Sequence, residues 1–259
     1  MIEEPYRWVE AIANRREYIE TQLSAGSPIA AVGYRDGIVF VTGGRTKQKV
    51  FEIYDRIAMG AIGHPGDIER LRMAAIELAS AEGFTRSAAD VSLRRLAHYS
   101  LSPLLKTAFE QIYGPPYLAR MLFAEIGETQ DMDLFLRVEY DGGIALYDGA
   151  ATKKPHHFGT LSGTRESTEI MGTYLDREST AGATFDRAFK LALNAWTIGD
   201  LALGESGIKE LPARDKLIDA RKSKMGARGV EAAVLERDIK TAIRYRSLSD
   251  AEIEAALDE

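Results

Sequence analysis

Residues 29–67 read Ile29-Ala-Ala-Val-Gly-Tyr-Arg-Asp-Gly-Ile-Val-Phe-Val-Thr-Gly-Gly44 and, after four polar residues, Lys49-Val-Phe-Glu-Ile-Tyr-Asp-Arg-Ile-Ala-Met-Gly-Ala-Ile-Gly-His-Pro-Gly-Asp67. The first run turns at Asp36-Gly37, a strong two-residue hairpin signal, and the second at Asp55-Arg56. Four short strands therefore fall within about 35 residues. They are apolar almost throughout, and strands of that kind need cover on both faces. The second hairpin runs through Gly63-His64-Pro65-Gly66 directly into a helical period, which ties sheet to helix.

Upstream, residues 7–24 place Trp8, Ile12, Ile19 and Leu23 on one helical face, with Pro5 suited to the entry and Gly26 to the stop. Downstream, Asp67 is a natural N-cap for a helix ending at Gly83. Ser87 or Asp90 starts another, with an apolar stripe from Leu93 to Ile112 and a kink expected at Pro103. Gly114-Pro115-Pro116 breaks the chain. Strands follow at 117–126, 133–140, 144–148 and 157–162, then helices at 164–177 and 183–202. Residues 204–229, with seven basic and four acidic residues, read as a surface excursion. Two closing strands, 230–237 and 242–248, precede a helix with a capping box from Ser249 to Glu252.

That order calls for two stacked antiparallel sheets with helices outside, an α+β four-layer αββα sandwich. We expect one domain over 1–259: a leading segment 1–26, a core 27–203, the excursion 204–229 and closing elements 230–259. The 259 residues are 45% hydrophobic, enough for one sizeable core. The 33 basic and 39 acidic residues give a net charge of −6, mixed along the chain, with no basic stripe for nucleic acid. Absence of cysteine excludes disulfides, zinc thiolates and a cysteine nucleophile. Glu3 and Glu4 stand where a signal peptide needs positive charge, and no run reaches the roughly eighteen apolar residues of a membrane span. A cytoplasmic protein without a membrane partner is expected.

The layout and several strings resemble the proteasome subunit family, and within it the non-catalytic α subunits of bacteria. Arg16-Glu17-Tyr18-Ile19 leading to Gly26-Ser27 is similar to the end of the family's leading helix. Tyr34-Arg-Asp-Gly-Ile-Val-Phe-Val41 is similar to its first hairpin, and Lys49-Val-Phe-Glu-Ile-Tyr-Asp55 to its Lys-Ile-x-x-Ile-Asp strand. Ser162-Gly163-Thr164 resembles its Gly-Ser-Gly turn, and Val230-Glu-Ala-Ala-Val-Leu235 its closing strand. The family's Tyr-Asp-Arg motif near the start is replaced by Pro5-Tyr6-Arg7.

The resemblance implies heptameric rings of this chain that cap rings of catalytic β-type subunits. Those rings admit unfolded protein through a gated pore and dock an AAA-type ATPase. It places Lys49 and Gly63 in the pocket that receives the ATPase C-terminus, Glu17 and Tyr18 at a subunit contact supporting the gate, and Trp8, Ile12, Ile19 and Leu23 on the leading helix's assembly face. No cofactor is implied. The plain alternative for Lys49 is a strand-edge lysine kept for solubility, and for Tyr18 a half-buried helix residue.

Catalytic members of the superfamily use a mature N-terminal threonine whose own amine is the base. Here the stretch is Ala25-Gly26-Ser27-Pro28-Ile29. The competing reading is therefore a peptidase using Ser27 after loss of 1–26, with Lys49 as the catalytic lysine. Pro28 beside the nucleophile and Gly43 where an acid usually stands count against it. A third reading, an unrelated α/β sandwich enzyme, lacks any constellation of acid, base and nucleophile. His98, His156 and His157 have no acidic partner at ligand spacing, so no metal is expected. Gly43-Gly44 lacks the spacing of a phosphate cradle and reads as a turn. Lys209, Lys216, Lys222 and Lys224 read as solvated.

Overall fold

The structure is a computed structural model that describes residues 5–44, 47–147, 156–204, 207–238 and 243–258. A leading helix α1 (Pro5–Leu23) precedes β1 (Ile29–Tyr34), β2 (Gly37–Gly43), β3 (Val50–Tyr54) and β4 (Ile57–Gly63). Then come α2 (Pro65–Thr85), α3 (Leu93–Leu96), α4 (Ser102–Glu110), β5 (Ala119–Glu125), β6 (Leu134–Val138), β7 (Ile144–Leu146) and β8 (Phe158–Leu161). The chain closes with α5 (Arg165–Glu178), α6 (Phe185–Ala202), α7 (Arg214–Arg228), β9 (Val230–Glu236), β10 (Tyr245–Ser247) and α8 (Asp250–Asp258).

The two hairpins separate into different sheets. One five-stranded sheet has the order β10-β9-β2-β1-β8, the other β3-β4-β5-β6-β7, and every pairing is antiparallel. Side-chain alternation explains why the strands are apolar on both faces. Ile29, Ala31, Ile38 and Phe40 meet Ala58, Ile62, Leu122 and Ala124 between the sheets. Ala30, Val32, Val39 and Val41 pack outward on Phe189, Ala192 and Trp196 of α6. Met59, Ala61, Met121 and Phe123 pack outward on Leu71, Ala75, Leu101 and Leu105. This is the expected αββα sandwich.

Several local expectations shift. The first hairpin turns on Arg35-Asp36, since Tyr34 pairs with Gly37. Gly37 is required instead inside the strand, where a Cβ would strike the Leu235 carbonyl and the Tyr34 ring. Helix α2 starts at Pro65, so Asp67 lies in its first turn, and its carboxylate accepts from Leu118 N at 3.0 Å. The helix passes Gly83, a residue fixed by the Tyr54 hydroxyl occupying the place of a side chain. At Pro103 there is a π-helical turn over Ala97–Leu101 rather than a simple kink. Proline has no N–H to offer residue 99, and Ser102 N–H reaches back to Ala97 O. The 204–229 stretch carries a helix, α7, held to α6 by buried Leu217 among Ile170 and Ile198 and by a Lys224–Asp200 ion pair. The capping box forms as read: Ser249 N donates to Glu252 Oε2 at 2.8 Å, and Glu252 N to Ser249 Oγ at 3.4 Å.

Candidate functional site

The starts of β1, β3 and β9 and the ends of β2 and β4 converge at one end of the sandwich. Gly44 N donates to Gly229 O at 3.1 Å, Ala61 N to Lys49 O at 3.0 Å, and Thr42 Oγ1 to Pro28 O at 2.8 Å. Lys49 and Gly63 are thus brought to one edge, since Gly63 lies two residues beyond Ala61. Gly63 has φ of +130°, and a Cβ there would overlap the Leu118 carbonyl oxygen, so the backbone itself demands glycine. At Gly43 the obstacle is a side chain instead: a Cβ would overlap the indole of Trp196. An acidic side chain cannot stand at that position while Trp196 does.

The Lys49 amine folds back and donates to Gly43 O. Its backbone N–H and that of Val50 both donate to the Glu231 carboxylate, at 3.0 Å to Oε1. Burial pushes the Glu231 carboxyl up, while those two N–H donors and the Lys49 charge pull it back. Glu231 was read only as part of a closing strand. It clamps the entry to β3, and the one available signal was an acid in the otherwise apolar run Val230–Leu235.

Ser27 has no catalytic geometry. Its Oγ is buried without a hydrogen-bond partner among the described residues, and the Lys49 amine is engaged on Gly43. The peptide ahead of it is held as well, with Gly26 N donating to Leu23 O at 2.8 Å. Removing residues 1–26 would take out Ile19 and Leu23, both buried with Phe109 and Tyr140.

The leading helix therefore divides. Ile19 and Leu23, expected on an assembly face, belong to the chain's own core. Trp8 is 44% exposed, Ile12 half-buried, and Glu17 and Tyr18 exposed. Polar anchors that sequence reasoning missed hold the helix down. The Arg15 guanidinium donates to Ala108 O at 2.9 Å and Gly114 O at 2.8 Å, capping the end of α4. Glu20 accepts from Tyr140 Oη at 2.7 Å and pairs with buried Arg120, and Arg16 pairs with Asp141 at 3.1 Å. These partners lie about a hundred residues away in sequence, beyond the reach of any local pattern. The side chains of Pro5 and Tyr6 lie outside the described residues.

The fold supplies His156 with Asp176 at 3.4 Å and His157 with Asp131 at 3.7 Å, neither visible as spacing. His98 is exposed elsewhere. Among the described residues no group of three or more His, Cys, Asp or Glu could hold a metal. No helix among them is long and apolar enough to cross a membrane.

Comparison with known proteins agrees with this geometry. The family model "Proteasome subunit" matches residues 23–198. A proteasome subunit alpha of Nocardioides sp. is 29% identical over 252 residues, covering 96% of this chain and 87% of the relative. Its counterpart in Actinosynnema mirum is 32% identical over 88% of this chain and 78% of the relative. That of Streptomyces avermitilis is 32% identical over 72% and 70%.

Proposed function

The chain belongs to the proteasome subunit family, and from that premise we propose that it is the non-catalytic α subunit, forming the outer ring of a core particle for protein degradation. The observation that carries this is the packed leading helix: residues 5–23 occupy the approach to β1, where a catalytic member must present a free threonine amine. The chain has Ser27 there, preceded by a helix anchored through buried Ile19 and Leu23 and followed by Pro28. The test is intact mass together with peptidase assay of the purified chain. Retention of residues 1–26 and no cleavage are expected; activity that Ser27→Ala abolishes would overturn the assignment.

Within that role, the β ring packs on the helical layer of α2 and α4. Met73, Leu78, Phe84 and Leu104 are exposed on these helices and Tyr99 and Tyr113 beside α4, a supply of apolar side chains for such a contact. The N-terminal half of α1, with Trp8 and Ile12, contacts the neighbouring α subunit, and Glu17 and Tyr18, exposed on the same helix, support the pore entrance.

Lys49 and Gly63 form the floor of a docking pocket for the C-terminal carboxylate of an AAA-type ATPase, completed by the next subunit. The incoming carboxylate replaces the Gly43 carbonyl as partner of the ammonium, exchanging a neutral acceptor for a charged one. A charge-assisted bond of that kind contributes about 1.5–3 kcal/mol. Unfolded proteins delivered by the ATPase are the substrates of the assembled particle.

A further inference from the structure

The chain carries an acid surplus, 39 acidic against 33 basic residues, yet one surface concentrates five cations around a single carboxylate among the described residues. It is a trough of about 840 Å³ on the layer formed by α5 and α6, where α7 packs against α6. Arg177 of α5, Arg187 and Lys190 of α6, and Arg214 and Arg221 of α7 line it. Glu178 is the one carboxylate in the lining, and it is held by Arg187 at 3.2 Å. Arg221 Nη1 donates to Asn194 Oδ1 at 3.2 Å, and Asn194 Nδ2 to Tyr174 Oη at 2.9 Å, a neutral relay, and Arg221 forms no ion pair among the described residues. Arg177, Lys190 and Arg214 form no ion pair among the described residues. Leu211 and Ile218 are half-buried in the same wall, over buried Leu217.

We infer that this trough docks an acidic, aliphatic peptide segment of a partner protein. Four of the five cations are arginines, whose forked donors match carboxylates in pairs. The apolar wall adds a seat for one or two aliphatic side chains. The volume is within the range that encloses a short peptide-sized ligand. A bare inorganic anion would use the cations and waste the apolar wall. A single-stranded nucleic acid would need stacking faces, and Tyr174, the lone aromatic of the lining, is tied to Asn194. The trough is on the opposite helical layer from the apolar α2–α4 face.

The experiment is fluorescence anisotropy of the full chain with a labelled hexapeptide of alternating Asp/Glu and Leu/Ile. Saturable binding is expected, weakening as salt rises through the range where the Debye length falls below about 8 Å. The triple variant Arg177→Glu/Lys190→Glu/Arg214→Glu should lose at least about tenfold in affinity, since like charges then face the peptide. Lys106→Glu, on the other layer, should change nothing. Replacing Leu/Ile of the peptide with Ser should also weaken it. Should the triple variant melt early, Lys190→Gln alone must still flatten the salt dependence. The inference is overturned by absence of saturable binding, by equal binding to the charge-reversed variant, or by undiminished binding of the Ser peptide with displacement by inorganic pyrophosphate, which would make the trough a plain anion site.

Discussion

The two helical layers are alike inside and opposite outside. Trp196 and Phe189 seal one sheet as Leu101 and Leu105 seal the other, all fully buried. Outward, the layer of α2 and α4 exposes Phe84 at 92%, Tyr99 at 80% and Tyr113 at 93%. The layer of α5, α6 and α7 exposes no large apolar side chain among the described residues and presents cations instead. Folding the subunit explains the shared interiors. It does not explain the apolar exterior of one layer, because those side chains gain nothing from the chain's own core. Under the proposed α-subunit role, that surface is the one that meets the catalytic ring.

The comparison can be broken at four points. Truncation inside either layer should be the largest effect: Trp196→Ala should cost about 3–5 kcal/mol and Leu101→Ala about 2–5 kcal/mol in denaturant unfolding. A large loss in one and none in the other would deny that the interiors are equivalent. Next, Phe84→Lys with Tyr99→Lys should leave the isolated subunit within about 0.5 kcal/mol of wild type. The same pair should abolish association with catalytic subunits, each lost apolar contact being worth about 1.5–3 kcal/mol. Sizing of the co-expressed proteins reads this out, and unchanged particles would move the partner to another face.

At the edge between the layers, Lys49→Ala should lower affinity for an ATPase tail peptide about ten- to hundredfold, following from about 1.5–3 kcal/mol per charge-assisted bond. Melting must be compared at the same time, since Lys49 also bonds Gly43. Unchanged peptide affinity would return Lys49 to a purely structural role.

The smallest effect concerns α8, which packs on the α5–α6 layer. Glu252 is held down at about 2, chiefly by the Ser249 N–H and hydroxyl and then by Arg246. Its folded pKa lies below the unfolded value of about 4.3. The stabilisation is therefore complete above about pH 4.3 and is lost as pH falls towards 2. Solvent exposure keeps it below about 1 kcal/mol. Melting of wild type and Glu252→Gln should differ at pH 5 and converge near pH 2; a constant difference would mean that the charge is irrelevant.

Sandwich and layer order were legible because burial on both faces writes itself into strands such as Ile38–Val41, and because Ser249 to Glu252 is a local pattern. The hairpin turn was misplaced by one residue because Gly37 answers to Leu235, a neighbour contributed by a distant strand. Helix α7 was missed as a helix because a single buried residue, Leu217, anchors its described face, too little for a periodic signal. Glu231 and Arg15 act through partners 182 and 93 to 99 residues away. The resemblance grouped Lys49 and Gly63 and the structure places both at one edge of the sandwich, whereas the direction of the lysine amine depends on the Gly43 carbonyl beside it. Similarly, Ile19 and Leu23 share a helical stripe with Trp8, and only the position of Phe109 and Tyr140 decides which of them the chain keeps for itself.

The most direct test of the central claim is native mass spectrometry of this chain co-expressed with the catalytic β-type subunit of the same proteasome. The account predicts a large particle containing both chains, this one retaining its leading helix, with all peptidase activity lost when the catalytic threonine of the partner is replaced. A chain that stays apart from the catalytic subunit, or that is recovered starting at Ser27 with activity of its own, would contradict it.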